Sequence, residues 1–202
     1  AGQLTELDGE RSVPDDVLYM PQDVGFSTPD ATVRELLTSF APPLLADVGA
    51  RMLDAERRLG EGDPEAGLLY GELIGEWGAL GGYDLESQWD ASLRRIVRSS
   101  LSEAGDRAAT TLSGGERKQL VIDVLFASKA STLLMDEPDN YLDIPAKHWL
   151  EREISNSRKT ILFISHDREL LTSAATKIVT MEATGAWVHG GSYRDYNEVR
   201  EH

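Results

Sequence analysis

With 202 residues, 41% of them hydrophobic, the chain has material for one core, or for a core domain with a smaller appended lobe. Its net charge of −15 disfavours a broad electrostatic grip on nucleic acid, which relies on Lys and Arg. The lack of cysteine excludes disulfides and thiolate metal sites, and four histidines without i, i+4 pairing form no imidazole cluster. No apolar run approaches the roughly 18 residues that span a bilayer, and no charged-then-apolar signal segment opens the chain. It therefore reads as soluble, with no membrane contact and the cytoplasm as the default compartment.

A turn-rich opening around Asp8-Gly9-Glu10 leads to Val17-Leu18-Tyr19-Met20, a short apolar run that predicts a buried strand closed by Pro21. Helical periodicity follows over Thr32–Phe40, Leu44–Leu59, Glu65–Leu80 and Leu85–Leu101, broken by Pro42-Pro43, by Gly60 to Pro64 and by Gly81-Gly82. From Ser113 the pattern alternates helix and apolar strand, the code of a parallel sheet with crossover helices. Thr132–Asp136, Thr160–Ser165 and Lys177–Met181 are nearly continuous apolar runs, which predict strands covered on both faces. A turn at Ala183-Thr184-Gly185 predicts a final hairpin through Trp187-Val188-His189, and a closing helix starts from Ser192.

Three short motifs carry chemistry. Ser113-Gly114-Gly115-Glu116 opens a helix whose apolar stripe runs through Leu120, Val121, Val124 and Leu125. Ser113 and Glu116 have capping-box spacing, and the glycines leave N–H groups open at the positive helix end, where anions such as a γ-phosphate bind. The alternative is a helix that is merely well capped. Leu133-Leu134-Met135-Asp136-Glu137-Pro138 sets two carboxylates at the carboxyl end of a strand, where open α/β sheets bind ligands. There Asp136 can hold Mg²⁺ and Glu137 can orient or deprotonate an attacking water; in a purely structural role, Asp136 would cap the next turn. Ser165-His166-Asp167 ends the following strand, which predicts His166 beside Glu137, within reach of a γ-phosphate oxygen. No G-x-x-x-x-G-K-[ST] phosphate loop is present, and none of the five lysines follows a glycine. Alone, the chain is expected to hold nucleotide poorly.

The ordered set resembles the ATP-binding cassette ATPases. Leu112 to Glu116 is similar to their signature, Leu133 to Glu137 to the Walker B strand, Asn140 to Asp143 to the D-loop and His166 to the switch histidine. Tyr19-Met20-Pro21-Gln22-Asp23 looks like the Q-loop. Within the superfamily, Trp149-Leu150-Glu151, Ser165 to Leu171, Leu80-Gly81-Gly82-Tyr83 and Gly191 to Tyr196 resemble subfamily F, the soluble cassette proteins, many of which act on ribosomes. The stretch from Gln22 to Leu112 is also longer than expected of a transporter cassette. One departure is Asp139-Asn140-Tyr141-Leu142-Asp143 where the subfamily usually reads Thr-Asn-His-Leu-Asp.

The resemblance implies an α/β, P-loop NTPase-type parallel sheet with crossover helices and an α-helical signature subdomain. Residues 1–30 and 113–202 would form a partial ATPase core, and 31–112 the helical subdomain. It implies ATP hydrolysis with Mg²⁺ in a head-to-tail cassette pair. Glu137 and His166 would be catalytic, Asp136 and Gln22 would serve the metal, and Ser113, Gly114, Gly115, Gln22 and Asp143 would serve the nucleotide, Asp143 by communicating across the interface. The family sets its phosphate loop just before a segment like Ala1-Gly2-Gln3-Leu4, so the chain is expected to be an N-terminally truncated piece of a two-cassette protein. The implied partners are a second cassette and the ribosome with its rRNA and tRNA, reached through regions outside this chain. A non-catalytic half supplying only a signature surface stays open as an alternative. An SMC-type lobe conflicts with the nearness of Gln22 to Leu112 and the lack of heptads, and a transporter cassette conflicts with the subfamily details.

Overall fold

A computed structural model describes residues 14, 16–24, 30–182, 185–191 and 193–200. The predicted turn at Asp8 to Glu10, the Ala1 to Leu4 match, Ala183, Thr184 and Ser192 lie outside the described residues. Strands β1 (Val17–Met20), β2 (Thr132–Asp136) and β3 (Thr160–Ile164) form a parallel sheet in that order. Tyr19 pairs with Leu134, and Leu134 with Leu162. Helix α7 (Ile144–Asn156) makes the crossover from β2 to β3. Leu18, Met20, Leu133 and Met135 point into the core, and Ile161 and Phe163 pack against it.

Between β1 and β2 the chain makes a long helical excursion through α1 (Val33–Ser39), α2 (Pro43–Gly60), α3 (Ala66–Ala79), α4 (Gly82–Ile96) and α5 (Leu101–Ala104). Its two ends are zipped together at Thr32 and Ala108, with Val33 N–H donating to Arg107 O at 2.9 Å and Ala109 N–H to Ala31 O at 2.7 Å. Trp77 and Trp89, both fully buried with ring centroids 6.2 Å apart, centre its packing. Gly82 must stay a glycine there, because a Cβ would fall 2.2 Å from the Trp77 ring. Helix α6 (Gly114–Ala127) then joins the excursion to the sheet, packing on α4 and β1.

Four expectations from sequence are corrected. The helix over Leu85–Leu101 is two helices, because Arg98 takes a left-handed conformation (φ 60°) and Ser100 starts a new capping box with Glu103. Helix α6 is not buried on one stripe: Arg117, Lys118, Ile122 and Asp123 are buried along with Leu120, Val121, Val124 and Leu125, since the excursion and the sheet enclose it from different sides. Among the described residues strand β3 is covered on one face only: Leu162 and Ile164 on the other are 56% and 59% exposed, and Tyr19 of β1 on the same side of the sheet is 40% exposed. Finally, β4 (Lys177–Glu182) does not join the parallel sheet but pairs antiparallel with β5 (Gly185–Gly190), the expected hairpin, backed by α9 (Tyr193–Arg200). Among the described residues no helix is long and apolar enough to cross a membrane.

Candidate functional site

The carboxyl ends of the three parallel strands converge on Glu137. This residue leaves β2 with a left-handed backbone (φ 45°), a conformation that costs free energy in a non-glycine residue and must be held by its surroundings. Its N–H donates to Ile164 O at the end of β3, 2.9 Å away, which locks the two strand ends together. The carboxylate is largely buried and held from three directions. Gln22 Nε2, just beyond β1, donates to Oε2 at 2.8 Å, Asn140 Nδ2 donates to the same oxygen, and His166 Nε2 stands 3.5 Å from Oε1. His166 itself is 89% exposed, so its ring is open to a ligand while one edge faces the carboxylate.

The loops that follow each strand are fixed by side chains. Asp139, 6% exposed, accepts from Ser165 Oγ at 2.7 Å, and Ser165 Oγ accepts from Asp167 N–H at 2.9 Å. Asp167 caps helix α8 (Arg168–Ala174) and accepts from Lys147 Nζ at 2.7 Å. The Lys147 ammonium, followed by the capping N–H groups, holds the Asp167 carboxyl below the ordinary carboxylate range.

Ser113 caps α6 in a full capping box. Glu116 N–H donates to Ser113 Oγ at 3.2 Å and Ser113 N–H to Glu116 Oε2 at 2.8 Å. Gly114 and Gly115 supply the first N–H groups of α6, which have no carbonyl partner one turn back within the helix. The loop after β2 passes over this helix end so closely that a Cβ on Gly115 would meet Tyr141 O at 2.8 Å. Tyr141 makes that pass with a left-handed backbone (φ 68°).

Of the candidates named from sequence, the fold brings Gln22, Glu137 and His166 into mutual contact through Glu137. Asp136 ends β2 on the uncovered face of the sheet, the face of Leu134 and Leu162. Asp143 caps α7, accepting from Ala146 N–H at 2.9 Å, while Ser113 to Gly115 form the end of α6 under Tyr141 rather than a contact with Glu137. Sequence reasoning missed Lys118. Its side chain is 1% exposed and Nζ donates to the backbone O of Gln22 at 2.7 Å. Burial pushes the ammonium pKa down, opposed by the carboxylates of Asp139, Asp23, Glu137 and Asp136. The available signal was its position three, four and seven residues before Val121, Ile122 and Leu125, on an apolar face of the helix.

Asp136, Glu137 and the Gln22 amide present hard oxygen donors, which fit Mg²⁺. Among the described residues no three His, Cys, Asp or Glu side chains form a closed cage.

Parallel strands leading to Asp136-Glu137 and to Ser165-His166, with a glycine-headed capped helix before them, are the arrangement that the resemblance to the ATP-binding cassette ATPases implies. No family model matches the chain. An antibiotic resistance protein of Mycobacteroides abscessus is 40% identical over 205 residues, covering 99% of this chain and 37% of that protein. The tylosin resistance ATP-binding protein TlrC of Streptomyces fradiae is 33% identical, over 97% of this chain and 35% of its own length. The energy-dependent translational throttle protein EttA of Escherichia coli K12 is 29% identical across 100% of this chain and 36% of itself. With these relatives the chain belongs to subfamily F of the cassette ATPases. It spans a little over a third of the length of the relatives it matches. The archaeal ribosome recycling factor aABCE1, solved with the ribosomal stalk protein aP1, superposes over 98% of the chain with TM-score 0.52 and 19% identity, a likeness of fold.

Proposed function

We propose that this chain supplies the hydrolytic strand ends, the signature helix and the helical subdomain of one cassette in a two-cassette subfamily F ATPase. The 202 residues contain no phosphate loop of their own. In this reading residues 1–30 and 113–202 belong to the ATPase core and 31–112 to the helical subdomain. The observation that carries it is the seating of Glu137 among Gln22, Asn140 and His166 at the carboxyl edge of the sheet. A carboxylate held by two amide donors and facing a histidine is oriented to take a proton from water. The exposed apolar face of Tyr19, Leu162 and Ile164, beside Asp136, supports the reading too, since a further element of the cassette would cover it.

Glu137 acts as general base, and His166 donates to the γ-phosphate from its exposed ring. Asp136 and the Gln22 amide oxygen would hold Mg²⁺, which would supply charge neutralisation at the phosphate. Ser113, Gly114 and Gly115 present the positive end of α6 to nucleotide held by the partner cassette, and Asp143 communicates across that interface from the start of α7. The translational-throttle relative supports a role in translation, which in this reading is exerted on the ribosome in the cytoplasm, with rRNA and tRNA reached through other parts of the protein. Calorimetry with a non-hydrolysable ATP analogue and Mg²⁺ tests the reading on this chain and on a version extended upstream through a phosphate loop. Binding by the extended version alone is expected. Binding by neither would favour a non-catalytic half, and equal binding by both would put the phosphate site elsewhere.

A further inference from the structure

Lysine is rarely buried completely, because removing an ammonium from water is costly unless charges and hydrogen bonds compensate. Lys118 is 1% exposed in the middle of the molecule, and the bond that anchors its ammonium goes to a backbone carbonyl 96 positions away in sequence, Gln22 O at 2.7 Å. Gln22 sits at a bend beyond the end of β1, where no ladder partner holds it. Its two ends have different jobs: the carbonyl accepts from Lys118, and the side-chain amide donates to Glu137 at 2.8 Å. Lys118, Gln22 and Glu137 thus form a continuous relay. Lys118 also rides on α6, about 7–8 Å along the axis from the Ser113 cap at 1.5 Å per residue.

We propose that Lys118 is a positioning residue for hydrolysis: its ammonium pins the Gln22 carbonyl to α6, so that the Gln22 amide holds Glu137 in register with the signature end of that helix. The proposal rests on the ATPase reading above only for its kinetic consequence. The relay has a mechanical one as well. Any shift of α6 along its axis pulls on the Gln22 backbone and changes how Glu137 is held. The four surrounding carboxylates make the pin selective for a cation, since a neutral side chain would leave them uncompensated.

Two measurements decide it. In the protein carrying both a phosphate loop and this chain, K118M is expected to lower ATPase kcat roughly ten- to hundredfold, the scale of a small misplacement of a catalytic group. Affinity for the ATP analogue should fall by a much smaller factor than kcat, because Lys118 meets the nucleotide and metal site only through the Gln22 backbone. Because Lys118 acts through Gln22, the K118M/Q22A double variant should be no slower than the slower single variant. K118R, which keeps a cationic donor, should recover part of the rate. Losses that multiply in the double variant would overturn the relay.

The second measurement needs no hydrolysis. In the amide NMR spectrum of the 202-residue chain, the Gln22 side-chain NH₂ pair, assigned by its disappearance in Q22A, should move toward free-glutamine positions in K118M. An unmoved pair would overturn the proposal whatever the kinetics. If the wild-type protein hydrolyses no ATP, the ATPase reading fails while the spectrum still judges Lys118. Should K118M not fold, the neutral K118Q variant, alone and combined with Q22A, takes its place in both measurements by the same criteria.

Discussion

Asp139 and Tyr141 are the two positions at which Asp139 to Asp143 departs from the subfamily pattern, and replacing Asp139 with asparagine tests how the extra carboxylate is accommodated. Asp139 is 6% exposed and accepts a hydrogen bond from Ser165 Oγ at 2.7 Å. Of the carboxylates that act on the buried Lys118 ammonium, it has the largest effect. The amide keeps the shape and one acceptor oxygen, so no cavity forms. What changes is charge. The Ser165 bond falls from charge-assisted to neutral, a loss of about 1 kcal/mol. Lys118 loses one stabilising carboxylate, on the order of 1–2 kcal/mol at an effective dielectric near 20. Together these give about 2–3 kcal/mol, or roughly 5–10 °C in Tm for a chain of this size. Thermal unfolding of D139N beside wild type, followed by near-ultraviolet circular dichroism, reads this directly. A midpoint within about 1 °C of wild type would refute the reasoning. A rise would mean that repulsion from Asp136 and Glu137 outweighs the attraction to Lys118.

Two further outcomes follow from the same geometry. S113A removes the cap hydroxyl of α6 and is expected to cost about 1 kcal/mol, readable as a lowered urea midpoint with unchanged slope; no shift would mean the capping box is idle. The ion pair of Lys147 with Asp167 sets a pH dependence. The Asp167 carboxyl is depressed in the folded state, so its stabilisation is present above its unfolded pKa of about 3.9 and disappears as pH falls through the lower folded value. K147M should therefore be less stable than wild type at neutral pH, with the gap closing toward about pH 2. A gap that widens in acid would contradict the pairing.

The elements nearest the site were the most legible from sequence, because strong local signals coincide there. A strand ending in two carboxylates, a serine with glutamate three residues on, and a histidine at the next strand end each obey a short-range rule, and tertiary packing did not disturb them. Lys118 was missed for the opposite reason, its spacing to Val121, Ile122 and Leu125 being a weak signal for so polar a residue. A lysine in a helical pattern reads as a solvated face, and only the approach of the Gln22 carbonyl from the far end of the chain makes its burial tolerable. The same limit applies to β3, whose continuous apolar run reads as doubly covered although one face stands open. Periodicity reports what a strand can bury and not what is present to bury it. The break after Ile96 was hidden because Arg98 is an uncommon left-handed residue, while the Ser100 and Glu103 spacing that starts α5 was visible.

The most direct measurement is the steady-state ATPase rate of the Glu137→Gln variant in the protein that carries a phosphate loop together with this chain. A general base contributes typically about 10²- to 10⁴-fold, so turnover should fall by that factor while the ATP analogue still binds. Hydrolysis at the unmutated rate would show that the carboxylate held by Gln22 and Asn140 beside His166 is not the base.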